Sequence, residues 1–183
     1  MKIIILMFLT FSLSFCNINS KEIANALKYN ALKYNIDKKI LYTIAKIESN
    51  FNTNVIAFVS DKKVNIIGKN IKIKNLNYKN KYLIQINSDI NTLKKIAIFF
   101  IQKGYKIDVG LMQINSQNFT LQELDYIFNL DYNISKAVDI LYQCKNKFKN
   151  VKNTIECYNK GNKLGKNYDY YKRFLSHYLK DFG

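Results

Sequence analysis

The chain has 183 residues, a formal net charge of +16, and 48% hydrophobic and 14% aromatic residues. This length suits one domain, and the composition excludes a collagen-like or a wholly disordered chain. Arg173 is the only arginine, so lysine supplies nearly all of the positive charge. Because lysine lacks the planar guanidinium that reads phosphates and guanine edges, the charge indicates an anion-attracting surface rather than a dedicated nucleic-acid site.

The N-terminus has the pattern of an export signal. Lys2 is followed by an apolar stretch over residues 3–15 and then by polar residues. A charged start and an apolar stretch of this length are typical of a secretory signal peptide and too short for a stable transmembrane helix. We therefore predict a signal peptide at residues 1–16, a single domain at 17–183 and a periplasmic location. The alternatives are a lipid anchor at Cys16 and an uncleaved, buried N-terminal helix.

Export changes the interpretation of the cysteines. Without Cys16, the chain keeps Cys144 and Cys157, and an even number of cysteines outside the cytoplasm indicates a disulfide. Two unpaired buried thiols are the alternative. His177 is the only histidine and no Cys/His spacing typical of zinc is present, so we expect no metal site.

Apolar residues recur at helical spacing along most of the chain, with one interruption. The first helix is expected over residues 21–35, and Asp37 is a candidate N-cap for the second. Residues 62–88 instead alternate polar with β-branched or aromatic residues, which predicts a small antiparallel hairpin.

The C-terminal half is predicted to be helical again. A helix that begins near Leu93 should stop at Gly104. Thr120 and Glu123 have the spacing of a capping box. Two further apolar stripes predict buried helices around residues 134–142 and 171–182.

A first chemical cluster surrounds Glu48, at the end of the second predicted helix. Glu48 shares a face with Leu41, Ile44 and Ala45, which should turn toward the core. Partial burial and the negative end of the helix dipole both disfavour a carboxylate, so we expect a raised pKa for Glu48. A carboxyl group that is protonated near neutral pH can act as a general acid. The alternative is a surface glutamate at a frayed helix end.

A second cluster spans residues 108–115. Gly110 permits a tight backbone approach, while the amides of Gln113 and Asn115 suit the N-acetyl and hydroxyl groups of a sugar. Met112 is expected to supply an adaptable apolar wall. Taken alone, the segment is equally a core strand with two exposed amides.

A third cluster lies at residues 157–161. A helix that ends near Asn159 with Gly161 just beyond it has ordinary C-cap chemistry. The functional interpretation gives Tyr158 a hydroxyl for hydrogen bonding and a ring that packs on a substrate.

The order and spacing of the three clusters resemble the soluble-type (SLT-domain) lytic transglycosylases, and most closely the small exported members that accompany type III and type IV secretion systems and pili. The matching motifs are Glu48-Ser49-x-Phe51-Asn52, Asp108-x-Gly110-Leu111-x-Gln113-Ile114-Asn115, Asn133-Ile134-x-x-Ala137 and Tyr158-Asn159-x-Gly161. The resemblance covers roughly residues 23–161, and the segment at 58–90 matches poorly.

The resemblance implies an α+β, predominantly α fold: a lysozyme-like helical domain with a small β-hairpin insert. It also implies cleavage of the β-1,4 bond between N-acetylmuramic acid and N-acetylglucosamine in peptidoglycan, with a 1,6-anhydro product. Glu48 would be the single catalytic acid and base, assisted by the substrate's own N-acetyl group, although Asp61 and Asp108 remain open as neighbouring carboxylates. The positions that carry over as substrate-binding are Ser49, Met112, Gln113, Asn115 and Tyr158.

No cofactor is implied, and the expected partners are peptidoglycan strands and components of a secretion, conjugation or pilus system. We expect a monomer, no nucleic-acid partner and no membrane span in the mature chain. Lys160 departs from the family, which usually has a small residue there; it would either meet peptide carboxylates at the cleft rim or narrow the cleft. The alternative functions are a hydrolysing muramidase, a non-catalytic wall-binding assembly protein, and a basic membrane-active or nucleic-acid-binding protein.

Overall fold

A computed structural model describes residues 19–164 and 166–183 of the chain. The expected signal peptide at residues 1–16, with Cys16, lies outside the described residues. Six α-helices and five β-strands form in the described part: α1 (Ser20–Lys33), α2 (Lys38–Ser49), β1 (Val55–Ser60), β2 (Lys72–Tyr78), β3 (Lys81–Asn87), α3 (Ile90–Gln102), β4 (Ile107–Val109), β5 (Ile114–Asn115), α4 (Leu130–Phe148), α5 (Val151–Lys160) and α6 (Asp169–Phe182). The predominantly α, α+β class is confirmed.

Side-chain caps fix several helix ends where the sequence predicts them. The Asp37 carboxylate accepts a hydrogen bond from the backbone N–H of Lys39 at the start of α2. Thr120 and Glu123 form the predicted capping box, here on a short 3-10 helix at Leu121–Asp125. Because the first backbone N–H groups of a helix have no partner within it, such caps stabilise each helix start by about 1 kcal/mol.

The sheet is larger than predicted. Its strand order is β2-β3-β1-β4-β5, and every neighbouring pair is antiparallel. The predicted hairpin corresponds to β2 and β3, so the prediction of a hairpin insert missed three strands. β1 is buried at five of its six residues and therefore shows no alternation, while β4 and β5 have three and two residues.

One buried cluster joins the helices to one face of the sheet. It includes Leu41 and Ile44 of α2, Ile56 of β1, and Ile134 and Val138 of α4. The predicted Cys144–Cys157 disulfide is confirmed, and it ties α4 to α5. Among the helices of the described residues, none has the length and apolar character needed to cross a bilayer.

Candidate active site

Glu48 lies one residue before the C-terminus of α2, which ends abruptly. Asn50 caps the helix in the left-handed conformation (φ 52°), and Phe51 follows with φ 63°. The turn keeps Glu48 on the face that α2 shares with the core, beside the fully buried Ile44 and Ala45. The abrupt end of α2 thus presents a carboxyl group at the edge of the core.

The surroundings of Glu48 favour its protonated form. Burial raises the pKa of Glu48 to about 7; the Tyr170 hydroxyl and the Arg173 guanidinium lower this pKa, and the charge of Asp108 raises it. Within the described part of the chain, neither Glu48 Oε1 nor the Tyr170 hydroxyl makes a hydrogen bond of ordinary geometry. The carboxyl is therefore held near half-protonation at neutral pH, as proton donation to a ligand requires.

The second cluster forms a tight hairpin from β4 to β5, and Asn133 of α4 holds the hairpin in place through hydrogen bonds. The buried Asn133 side chain accepts from the Met112 N–H (2.8 Å) and donates to the carbonyls of Val109 (3.1 Å) and Ile127 (2.9 Å). Gly110, at φ +76°, permits this close approach. One side chain of α4 thereby fixes the turn that carries the candidate substrate-binding amides.

Gln113 and Asn115 both face the cleft and are held by hydrogen bonds within the hairpin. Gln113 has φ 47°, and its Nε2 donates to the Gly110 carbonyl at 2.8 Å. Asn115 Nδ2 donates to Asp108 Oδ1, also at 2.8 Å. Burial raises the pKa of Asp108 to about 6, against the lowering effect of the Asn115 hydrogen bond. Each side-chain amide retains hydrogen-bonding capacity for a ligand.

Tyr158 of α5 closes the other side of the site. Its hydroxyl donates to the Met112 carbonyl at 2.7 Å, and its ring stacks on that of Tyr170 with an interplanar angle of 27° and 6.4 Å between ring centroids. Burial and the charges of Glu48 and Asp108 raise the pKa of Tyr158 well above its ordinary value, so the hydroxyl stays protonated. The preceding residue, Cys157, carries the disulfide that anchors this end of α5 to α4.

These groups line one cleft of about 430 Å³. It brings together Glu48, Gln113, Asn115 and Tyr158 from the three sequence clusters. Its other lining residues are Asp108, Gln117, Asn118, Ile140, Gln143, Cys144, Cys157, Asn159, Lys160, Gly161 and Asn162. The cleft has the size and the polar lining of a site for a hydrophilic ligand.

Two expected contact residues do not line this cleft. Met112 is fully buried in the core, so the expectation that its side chain forms a wall of the cleft is wrong; only its carbonyl contributes, by accepting from Tyr158. Ser49 turns back to donate to the Ala45 carbonyl at 3.2 Å. Asp61 is exposed and pairs with Lys81, which leaves Asp108 as the second carboxylate of the cleft.

Sequence reasoning missed the contribution of α6. Tyr170 and Arg173 of this helix lower the pKa of Glu48 against the larger effect of burial, and a salt bridge from Lys46 to Asp181 (2.6 Å) fastens α6 to α2. Fully buried Glu156 of α5 accepts from the Tyr171 N–H at 2.8 Å and fixes the start of α6. No local motif marks these residues, because their partners come from distant parts of the chain.

The family model described as the transglycosylase SLT domain matches residues 25–178 of the 183. This range includes Glu48 and every other residue that lines the cleft. No curated protein and no solved structure shows a significant similarity to the chain.

Proposed function

The chain belongs to the transglycosylase SLT domain family and is a peptidoglycan lytic transglycosylase, and we propose that it cleaves between N-acetylmuramic acid and N-acetylglucosamine to leave a 1,6-anhydro end. The observation that carries this proposal is the Glu48 carboxyl, with a pKa of about 7, in a cleft lined by amides and a tyrosine. A single acid of this pKa can give up a proton and take one back at neutral pH.

In the first step, Glu48 donates its proton to the glycosidic oxygen as the bond from that oxygen to C1 breaks. The carbonyl oxygen of the substrate's own N-acetyl group closes on C1 and takes the place of a second carboxylate. In the second step, the Glu48 carboxylate removes the proton of the C6 hydroxyl while the C6 oxygen bonds to C1. The bond from C1 to the acetyl oxygen breaks at the same time, which restores the N-acetyl group. The acid is restored and no water is consumed.

The amide groups of the cleft are suited to hold the sugar in place for both steps. Gln113 and Asn115 offer donors and acceptors to the N-acetyl and hydroxyl groups, and both are oriented by hydrogen bonds of their own. The neutral Tyr158 hydroxyl is committed to the Met112 carbonyl, so we assign Tyr158 to cleft shape and ring contact. Lys160 lies among the lining residues, where it can meet an anionic substrate group.

Hydrolysis by a muramidase is the second candidate, and Asp108 is the observation that favours it. Asp108 shares the cleft with Glu48, and the pKa of about 6 leaves it mostly ionised at neutral pH. A retaining or inverting glycosidase uses a second carboxylate in this way. Against that role, Asp108 Oδ1 is engaged by Asn115.

We assign the biological role to local opening of the cell wall for a secretion, conjugation or pilus system, in the periplasm. Its support is the resemblance of the motifs to small exported members of the family, together with the predicted signal peptide. Fractionation of cells that express the full chain tests the location. Loss of substrate secretion or conjugation in a deletion strain, restored by the wild-type gene but not by Glu48→Gln, tests the role.

Mass analysis of peptidoglycan digests tests the reaction. Wild-type protein should release fragments with an anhydro end, lighter by one water than the hydrolysis products. Glu48→Gln should reduce release by about 10²–10⁴-fold. Asp61→Asn removes an exposed carboxylate outside the cleft and should behave as wild type. Reducing-end products would decide for the muramidase, and wall binding without any release would decide for an assembly protein.

A further inference from the structure

Strand pairing aligns side chains that line the cleft with side chains on the outer strands of the sheet. Lys74 pairs with Gln85, Gln85 with Ala57, Ala57 with Asp108, and Asp108 with Asn115. Directly paired residues of neighbouring strands point to the same face of a sheet. The five side chains therefore form one row that begins in the cleft at Asn115 and ends at Lys74 on the edge strand.

This row lies on the face of the sheet that is turned away from the core. The buried cluster takes Ile56 and Phe58 from β1 and leaves out Ala57 between them. On the same face as Ala57, Gln85 is partly exposed and Lys74 is exposed. Ala57 itself is only 6% exposed. The face is therefore accessible to a ligand at β3 and β2, next to the buried Ala57 that separates these strands from the cleft.

Two parallel rows flank it on the same face. On one side lie Lys72, Asn87 and Val55; on the other lie Leu76, Leu83 and Val59. Leu76 and Val59 are 45% and 41% exposed. Together, the three rows make a surface with amides, ammonium groups and an apolar strip of Leu76, Leu83 and Val59.

The charge at the far end of this surface is unbalanced. Lys72 and Lys74 are exposed, and neither makes an ion pair within the described residues. Asp61, the only acidic residue between positions 61 and 81, is paired with Lys81. The two ammonium groups on β2 are therefore available to an anionic ligand.

The dimensions fit a short peptide. Neighbouring strands lie about 4.8 Å apart, so three strand spacings place Lys74 about 14 Å from Asp108. An extended peptide of four residues spans about 13–14 Å. Peptidoglycan carries short peptides with free carboxylates and alanine methyl groups on the sugar that the proposed reaction attacks.

We propose that this face of β2, β3 and β1 binds the peptide stem of the wall polymer. The ammonium groups of Lys72 and Lys74 bind the stem carboxylates, Gln85 and Asn87 bind its backbone, and the Leu76–Leu83–Val59 row contacts its methyl groups. This inference rests on the proposed function, because it takes peptidoglycan as the polymer in the cleft.

The test measures binding, so that it does not depend on turnover. In a Glu48→Gln background, co-sedimentation gives the affinity for insoluble walls with their peptides and for walls whose peptides have been removed by an amidase. Lys72→Gln with Lys74→Gln should lower the ratio of the two affinities by about three- to tenfold, and this loss should shrink at high salt. Lys21→Gln with Lys28→Gln removes the same charge from the exposed side of α1 and should leave the ratio unchanged.

The proposal would be overturned if the two double variants had the same ratio of affinities. The positive charge would then attract the wall regardless of its place on the protein. An equal loss of affinity for both kinds of wall would also overturn it, since the face would then bind the sugar rather than the peptide. Neither result depends on the anhydro products, so this proposal and the proposed reaction fail separately.

Discussion

Gly110 lies directly against the side-chain amide of Asn133, so that a Cβ atom at position 110 would come within 2.7 Å of Asn133 Nδ2. That amide holds the backbone on both sides of the turn, at Val109 and Met112. The geometry of the candidate substrate-binding hairpin thus depends on one contact between β4 and α4.

We expect Gly110→Ala to destabilise the protein by about 3 kcal/mol or more, because it adds a clash with a buried hydrogen-bonded group to the strain of a positive φ. Gly104→Ala is the matched control: φ there is +81°, but nothing lies within 4 Å of the added Cβ. It should cost only about 1–2 kcal/mol. Urea unfolding of both variants measures the difference, and equal losses would show that Asn133 yields to the methyl group.

The pH dependence of turnover should follow the protonation of Glu48. Because only the protonated form can donate, kcat/KM should fall as the pH rises through about 7. Asp108→Asn removes a negative charge that raises the Glu48 pKa, so the fall should begin at lower pH. Arg173→Gln removes a positive charge that lowers this pKa, so the fall should begin at higher pH.

Profiles of kcat/KM against pH for the three proteins check this pair of opposite shifts. Shifts in the same direction would mean that another group governs the alkaline side of the profile.

Glu48 should also cost the protein stability. Its pKa is raised from 4.5 in the unfolded chain to about 7 in the fold, so the folded state binds more protons between these values. Stability therefore falls as the pH rises from about 4.5 to 7 and then levels off. Glu48→Gln removes the buried charge and should be more stable than wild type by about 2–3 kcal/mol above pH 7.

This gain should become small as the pH falls to 4.5 and vanish below it, where the wild-type carboxyl is protonated in both states. Thermal unfolding across that pH range provides the measurement. A gain that did not change with pH would assign the effect to packing rather than to the charge.

Features set by local sequence were predictable. The N-cap at Asp37, the capping box of Thr120 with Glu123 and the stop after α5 at Gly161 each depend on residues within a few positions of one another. Glu48 could also be identified from the sequence, because its place on the apolar stripe of α2 predicts the burial that raises its pKa.

Features set by distant contacts were not predictable. Tyr170 reaches Glu48 only because α6 packs on α2, which no local pattern encodes. Met112 was assigned to the cleft from its adaptable side chain and from the resemblance to the family, but its side chain packs in the core and only its carbonyl contacts Tyr158. The row from Asn115 to Lys74 depends on strand register, since β1 lies between strands from later in the chain.

The Cys144–Cys157 disulfide should support both the fold and the cleft. It closes a loop with a sequence separation of 13, for which the chain-entropy model gives about 3 kcal/mol of stabilisation. Both cysteines line the cleft, and Tyr158 directly follows one of them. Cys144→Ala with Cys157→Ala should therefore lower the free energy of unfolding by about 3 kcal/mol. It should also raise KM more than it lowers kcat, because α5 becomes less firmly placed while Glu48 on α2 is untouched.

Wild-type protein in reductant should approach the double variant in stability, and the double variant should not respond to reductant. Unchanged stability in both experiments would show that packing of α4 on α5 alone holds Tyr158 against the Met112 carbonyl.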